Sequence, residues 1–482
     1  MLVTPAGTDR IKQYLKQNLL FGNEPSPELF AILAVYFVQG ILGLSRLAVS
    51  FFLKDDLGLS PAAVAALMGI AALPWMVKPL FGFMSDGLPI AGYHRRSYLV
   101  LSGLLGCGAW LALGFWVSTP FQATVAIVLS SLSVAVSDVI ADSIVVERAR
   151  EEADQAAGSL QSLTWGVGAL GGLLTAYLGG VLLEILSTRE LFLITATFPL
   201  IVTGVAGWIA EGRSLGGPSL GEVKSQVGLL RQAIAQKAIW MPTLFLFLWQ
   251  ATPSSDSAFF FFSTNELGFP PEFLGRVRLV SSLAMMLGVW LFQNFFREIR
   301  FRRIFGWMIA ISAALGMTSL ILVTHTNRAW GISDQWFSLG DNLVLVVAGQ
   351  LSFMPVLILA ARLCPRGIEA TFFALLMSIF NFGGLLSHEL GALLTQALGV
   401  TESDFTNLWQ LVLITNLSTL LPLPLLGWVP DVNAQGLTPP DQDASQCLQA
   451  LEDGLESNLD SNPASGEAVA VAVESSRPGG RA

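Results

Sequence analysis

Phe51-Phe52-Leu53-Lys54-Asp55-Asp56-Leu57-Gly58-Leu59-Ser60-Pro61 returns 210 residues later as Phe261-Phe262-Ser263-Thr264-Asn265-Glu266-Leu267-Gly268-Phe269-Pro270-Pro271. Five of the eleven positions are identical, and Asp56 is matched by Glu266. A second echo pairs Gly171-Gly172-Leu173-Leu174 with Gly383-Gly384-Leu385-Leu386 and continues into Leu178-Gly179 against Leu390-Gly391, at an offset of 212. Leucine and glycine identities are cheap in an apolar chain, so the near-constant spacing carries the information. Two halves of a membrane protein related by a parallel repeat predict a transporter with two six-helix halves and a site between them.

Composition agrees with lipid as the solvent. Of 482 residues, 53% are hydrophobic and 13% charged, and mean hydropathy is +0.62. Charged groups are too few to cover a soluble surface. Cys107, Cys364 and Cys447 are scattered without metal-type spacing, so neither a disulfide framework nor a metal site is implied. Much of the net charge of −9 sits in a tail rich in Asp, Glu, Ser, Pro and Gly, which reads as disordered and solvated. No removable targeting segment is evident at the N-terminus, where residues 9–20 suit either a short amphipathic surface helix or disorder.

A span needs about 20 mostly apolar residues. Twelve are expected, an all-α membrane protein: 30–53, 61–84, 97–118, 121–146, 157–183, 190–210, 239–263, 272–296, 303–324, 341–363, 368–397 and 407–429. This divides the chain into an N-terminal segment (1–29), a six-helix half (30–210), a linker (211–238), a second six-helix half (239–429) and the acidic tail (430–482). If the N-terminus is cytoplasmic, the inner segments before the tail carry seventeen lysines and arginines, and the outer loops carry only Lys54, Arg189 and Arg328. That asymmetry places both termini in the cytoplasm.

Charges left inside spans are the candidate functional groups. Each costs at least about 2.5–3.5 kcal/mol at a helix centre, so each needs a partner or a water-filled cavity. Arg46 and Asp256 occupy equivalent places in the two halves and are expected to meet across the central cavity, in binding, in gating or as a structural ion pair. Asp138 and Asp142 lie four apart on one face of span four. Two carboxylates that close disfavour joint ionisation, which suits a proton site; a helix-end network with Arg148 and Arg150 is the alternative. Lys78, between Pro74 and Pro79, can attract an anionic substrate or pair with one of these aspartates. Arg278 is a similar candidate, whereas Arg276 is near enough to the outer face to snorkel. His388 and Glu389 form a pair that either titrates or makes a structural contact. Trp249, with Trp75, Trp165 and the run Phe259 to Phe262, can stack on flat heterocycles, although most such rings face lipid or other helices.

Between spans two and three runs Gly82-Phe83-Met84-Ser85-Asp86-Gly87-Leu88-Pro89-Ile90-Ala91-Gly92-Tyr93-His94-Arg95-Arg96. It resembles the Gly-x-x-x-Asp…Arg-Arg signature of the major facilitator superfamily. In such a gate Gly82 lets helices approach, Asp86 accepts from a neighbouring helix end, and Arg95 and Arg96 anchor at the inner interface. Three blocks, 51–62 (FFLKDDLGLSPA), 78–98 (KPLFGFMSDGLPIAGYHRRSY) and 137–150 (SDVIADSIVVERAR), are similar to the folate–biopterin transporter family of that superfamily. The resemblance covers about residues 30 to 430. It implies a folate, a methotrexate-like antifolate or a pterin as substrate, coupling to H+, a bilayer as surroundings and a monomer. It also implies a bacterial, cyanobacterial-type plasma membrane, with the plastid envelope for some relatives. Composition and spacing alone say only an anion-capable secondary transporter. A carrier of another organic ion and a non-transporting assembly factor for pigment or protein remain as alternatives. No nucleotide-binding glycine loop, nucleophile motif or cofactor site supports an enzyme, and nothing points to nucleic acid.

Overall fold

The computed structural model describes Leu20 and residues 25–151, 154–213, 236–296, 299–362 and 369–431. The stretch 9–20 apart from Leu20, for which either a surface helix or disorder is expected, most of the linker 211–238 and nearly all of the tail 430–482 lie outside them. The fold is all-helical. In the first half run α1 (Pro27–Asp56), α2 (Pro61–Ser85), α3 (Arg96–Phe115), α4 (Pro120–Glu151), α5 (Asp154–Ile185) and α6 (Thr188–Trp208). In the second run α7a (Lys237–Gln250), α7b (Asp256–Phe261), α8 (Pro271–Phe296), α9 (Phe301–Val323), α10 (Asp334–Arg362), α11 (Glu369–Ala397) and α12 (Leu408–Trp428).

Among the described residues ten segments are long and apolar enough to cross a membrane. The two expected spans outside that set are 368–397, observed as the 29-residue helix α11, and 239–263, which is broken. The break has a covalent cause. Pro253 has no N–H and pushes Thr252 out of the helical region. The Trp249 carbonyl that Pro253 leaves free accepts from Thr252 Oγ1 at 3.1 Å instead. The equivalent stretch of α1, Leu42–Ser45, stays continuous but tightens into a 3₁₀ turn.

The repeated motif folds the same way twice. Residues Phe52–Asp56 and Phe262–Glu266 each form a π turn, closed by Leu57 N–H to the Phe52 carbonyl and Leu267 N–H to the Phe262 carbonyl, both at 3.0 Å. Gly58 and Gly268 then take φ of 61° and 64°, the left-handed conformation only glycine adopts cheaply after a helix end. The packing repeats as well. In the first half α1 packs on α5, α3 on α4 and α3 on α6; in the second α7a packs on α11 and α9 on both α10 and α12. A Cβ added to Gly171 would meet the Phe37 carbonyl oxygen at 2.7 Å, and one on Gly383 the Phe247 oxygen at 2.9 Å. Gly179 and Gly391 likewise touch the Leu44 and Ser254 carbonyls. All four glycines exist to let backbones touch.

A Cβ on Gly40 would sit 2.2 Å from the Gly168 carbonyl oxygen, so neither helix can yield without moving its backbone. Gly40→Leu is therefore expected to destabilise the protein by more than the ~1–3 kcal/mol of ordinary overpacking. The midpoint of thermal unfolding in detergent checks this, with Gly108→Leu as control because a Cβ there meets nothing within 4 Å. Equal midpoints for the two variants would refute the close contact.

The halves meet through α5 on α8 and α2 on α11, a pair of contacts related by the same repeat. At the end bearing the π turns the contact is dense. Phe261 is fully buried in the core of the first half, Phe51 and Phe260 stack edge to face at 5.4 Å, and Lys54 Nζ donates to Asn265 Oδ1 at 2.7 Å. The prolines of α2 also serve this interface. Pro79 frees the Trp75 carbonyl four residues earlier, and Asn381 Nδ2 of α11 donates to it at 3.2 Å.

Candidate functional site

Three charged groups of the first half form one cluster. Lys78 Nζ is ion-paired with Asp138 Oδ2 and lies 4.7 Å from the centre of the Trp75 ring. The two side chains are 18% and 14% exposed, enclosed but not sealed. One turn along α4, Asp142 accepts a hydrogen bond from the Tyr36 hydroxyl of α1. The kink of α2 at Val77, between Pro74 and Pro79, sets Lys78 at the start of a new helical stretch, Lys78–Gly87, against α4. Of the two expectations for Lys78, the geometry takes the aspartate partner: its charge is engaged within the protein. The cluster thus holds two carboxylates and one cation.

The arginines are arranged differently. Arg46 is surrounded by protein on most sides yet reachable by solvent, as expected of a side chain lining a cavity rather than a core. Arg278 of α8 is enclosed too, and near enough for the two guanidinium charges to repel across the interface between the halves. Neither has a hydrogen-bonding or ionic partner among the described residues. Two like charges drawn together without a counter-ion can attract an anion.

Sequence symmetry misplaces one partner. Arg46 and Asp256 were expected to meet, but among the described residues no ion pair joins them. Residues related by the repeat share a depth and lie on opposite halves; contact also requires their helices to face each other, and α1 presents Arg46 toward Arg278. Asp256 is exposed, and its carboxylate has no partner among the described residues. Trp249 packs inside the second half against Phe305 and Phe380, with ring centres at 6.1 and 6.4 Å. Its remaining face borders a hollow described below. Arg276 reaches Glu272 Oε1 at 2.7 Å in an exposed i,i+4 pair in the first turns of α8. Glu389 lies against Gly69 of α2, where an added Cβ would meet its Oε1 at 2.7 Å.

The motif at 82–96 makes contacts inside its own half. Arg95 Nη1 donates to Ser85 Oγ at 2.9 Å, and Arg96 Nε to the Ile209 carbonyl at 2.7 Å. Sequence reasoning missed Glu211, whose carboxylate accepts from the backbone N–H groups of His94, Arg95 and Arg96, neutralising the positive end of α3. A carboxylate near an arginine pair in sequence gives a signal; one more than a hundred residues away gives none. Gly82 is not a close-approach glycine here: a Cβ would meet Val139 Cγ1 at an ordinary 3.7 Å. The side chains of Asp86, Arg148, Arg150 and Trp165 lie outside the described ones.

A family model described as the BT1 family matches residues 39–443. The chain belongs to the BT1 family. A curated relative from Synechocystis sp., named folate-biopterin transporter, is 60% identical over 87% of this chain and 85% of its own. An Arabidopsis thaliana relative, probable folate-biopterin transporter 2, is 32% identical over 86% of this chain and 85% of its own. Folate transporter 1 of Plasmodium falciparum is 29% identical over 85% and 80%. Among solved structures, the nucleoside transporter NupG superposes with a TM-score of 0.61 at 14% identity, covering 83% of this chain and 98% of its own. A D-xylose-proton symporter gives 0.61 at 15% identity, over 84% and 99%. At such identities these two show the fold alone, and it is the all-helical fold in two halves described above. This BT1 family member is an integral membrane transporter of a small molecule and not an enzyme.

Proposed function

We propose that the protein carries folates and pterins across a bacterial plasma membrane by alternating access, coupled to protons, as a monomer with both termini in the cytoplasm. The observation that carries the reading is the pair Arg46 and Arg278, near enough at the interface of the halves for their charges to repel and without a side-chain partner among the described residues. A folate bears a glutamate tail, and two guanidiniums are the groups that match carboxylates bidentately. The names of the relatives supply the rest of the substrate. A scaffold without transport gains nothing from two uncompensated cations within its spans, which speaks against the assembly-factor reading.

Proton coupling is assigned to Lys78, Asp138 and Asp142. One cation beside two carboxylates leaves a net charge of −1, and a single proton brings the cluster to neutrality. The contacts of Lys54, Phe260 and Phe261 join the halves at the end bearing the π turns, which is assigned to the outer side. The segment 82–96, with Asp86, Arg95 and Arg96, is assigned to the inner gate, which closes when those outer contacts part.

Uptake of labelled folate into proteoliposomes tests the whole reading. Accumulation is expected to follow an imposed proton gradient, acidic on the outer side, and to collapse when a protonophore is added. Absence of folate uptake with and without the gradient refutes the substrate; uptake indifferent to the gradient refutes the coupling.

A further inference from the structure

The two halves differ most where their backbones should be most alike. In the first half Gln39, Leu42 and Ser102 enclose a space of only ≈10 Å³. Their counterparts 210 residues on, Trp249, Thr252 and Ser312, border a hollow of ≈440 Å³. The break in α7 opens it, because unwinding Thr252–Ser255 withdraws a turn of helix from the middle of the bundle. The chemistry of the lining changes too. Where α6 contributes Pro199 and Val202, α12 contributes Thr415, Asn416 and Thr419. A volume of that size falls within the range of small-molecule pockets, about 300–1,000 Å³.

One residue of its lining ties the hollow to the arginine pair. Asp256 is part of that lining, is exposed, and is the positional equivalent of Arg46, which lies near Arg278. Around the mouth, the Gln250 amide and the Asp256 carboxylate make no hydrogen bond to the described residues. Deeper in, Trp249 and Phe353 supply two ring faces, and the Ser312 and Ser352 hydroxyls meet at 3.4 Å. A free carboxylate, a free amide and aromatic walls suit a flat heterocycle rich in N–H donors. They do not suit a glutamate tail, which the Asp256 charge repels.

We propose that this hollow in the second half, at the break of α7, is the subsite for the pterin ring, with Asp256 accepting from the adjacent ring N–H and amino groups. It rests on the folate and pterin reading above and adds an orientation: the ring enters the second half while the carboxylates stay between Arg46 and Arg278. Substrate thus lies asymmetrically in a symmetric frame.

Gly349 gives a clean test. It borders the hollow, and a Cβ there meets nothing within 4 Å, so a larger side chain enters empty space without displacing protein. Labelled folate uptake by the full-length protein is competed with free pterin and, separately, with p-aminobenzoylglutamate, which carries the tail without the ring. In Gly349→Leu the concentration of pterin needed for half-inhibition is expected to rise at least tenfold, with that of p-aminobenzoylglutamate unchanged; Gly349→Ala should keep the wild-type values. Asp256→Asn should also weaken pterin selectively. Should Gly349→Leu fail to reach the membrane, direct binding of pterin to purified Asp256→Asn decides alone. Unchanged pterin inhibition in Gly349→Leu, or unchanged pterin affinity in Asp256→Asn, overturns the subsite while folate uptake itself stands. Equal loss of both competitors overturns it as well, by showing a general collapse of the cavity. A wild-type protein that carries no folate sinks the subsite together with the functional reading.

Discussion

Asp138→Asn is expected to lower gradient-driven accumulation of substrate by at least tenfold and to leave exchange of substrate across the membrane in place. The amide keeps the shape of a protonated carboxyl but cannot release a proton. The cluster of Lys78, Asp138 and Asp142 then carries one carboxylate and one cation throughout the cycle. It is already neutral, and protonation of Asp142 leaves it positive. Neutral clusters can move between the two states without a proton, so exchange survives while coupling is lost. The substitution also exchanges the charged partner of Lys78 for a neutral amide, leaving the more distant Asp142 as its only counter-charge in the cluster. Lower abundance of Asp138→Asn is therefore expected as well, with recovery in the double variant Lys78→Gln/Asp138→Asn, in which accumulation stays absent. Transport is measured as the ratio of internal to external substrate, normalised to protein in the membrane. Normal accumulation in Asp138→Asn would move the proton site to Asp256 or Glu389.

Arg46→Gln and Arg278→Gln are each expected to raise the KM for folate by about 10- to 100-fold. A hydrogen bond to a charged group contributes about 1.5–3 kcal/mol, and each 1.4 kcal/mol is a factor of ten. Biopterin has no carboxylate, so its transport should keep wild-type values in both variants. Arg46→Lys should not restore folate affinity, because a point charge lacks the planar fork that holds a carboxylate in two places. Removing one arginine also relieves its repulsion of the other, so neither substitution should destabilise the fold. The unfolding midpoint in detergent and the KM for both substrates together decide the matter. Parallel losses for folate and biopterin would mean that the arginines hold the cavity open rather than bind the tail.

Much of this was legible in the chain. The repeat at 51–61 and 261–271 is a local conformation written twice: a π turn, a left-handed glycine and a proline at the start of the next helix follow from the residue types themselves. The glycines at 171, 179, 383 and 391 were legible as an echo at constant spacing; that each lets two backbones touch is a fact of the packing. Spans are legible because hydrocarbon accepts only apolar stretches of a set length, and Arg46, Lys78, Asp138, Asp142 and Arg278 stood out because each violates that demand.

Pairing was another matter. An offset of 210 residues fixes depth along the membrane normal and says nothing of rotation about each helix axis, which neighbouring helices set. Arg46 and Asp256 share a depth, but Arg46 turns toward Arg278; Lys78, readable from sequence as an anion site or an aspartate partner, turns toward Asp138. The hollow behind Asp256 was equally invisible: a proline marks the break, but only packing decides whether the space it vacates is filled, as around Gln39, or left open, as around Trp249. The sequence by itself determined the helices, their order, their depth and the charges they carry at a cost, because each depends on a residue and its solvent. Tertiary structure alone decided which charges meet and where space remains, because both depend on the rotation of helices against one another.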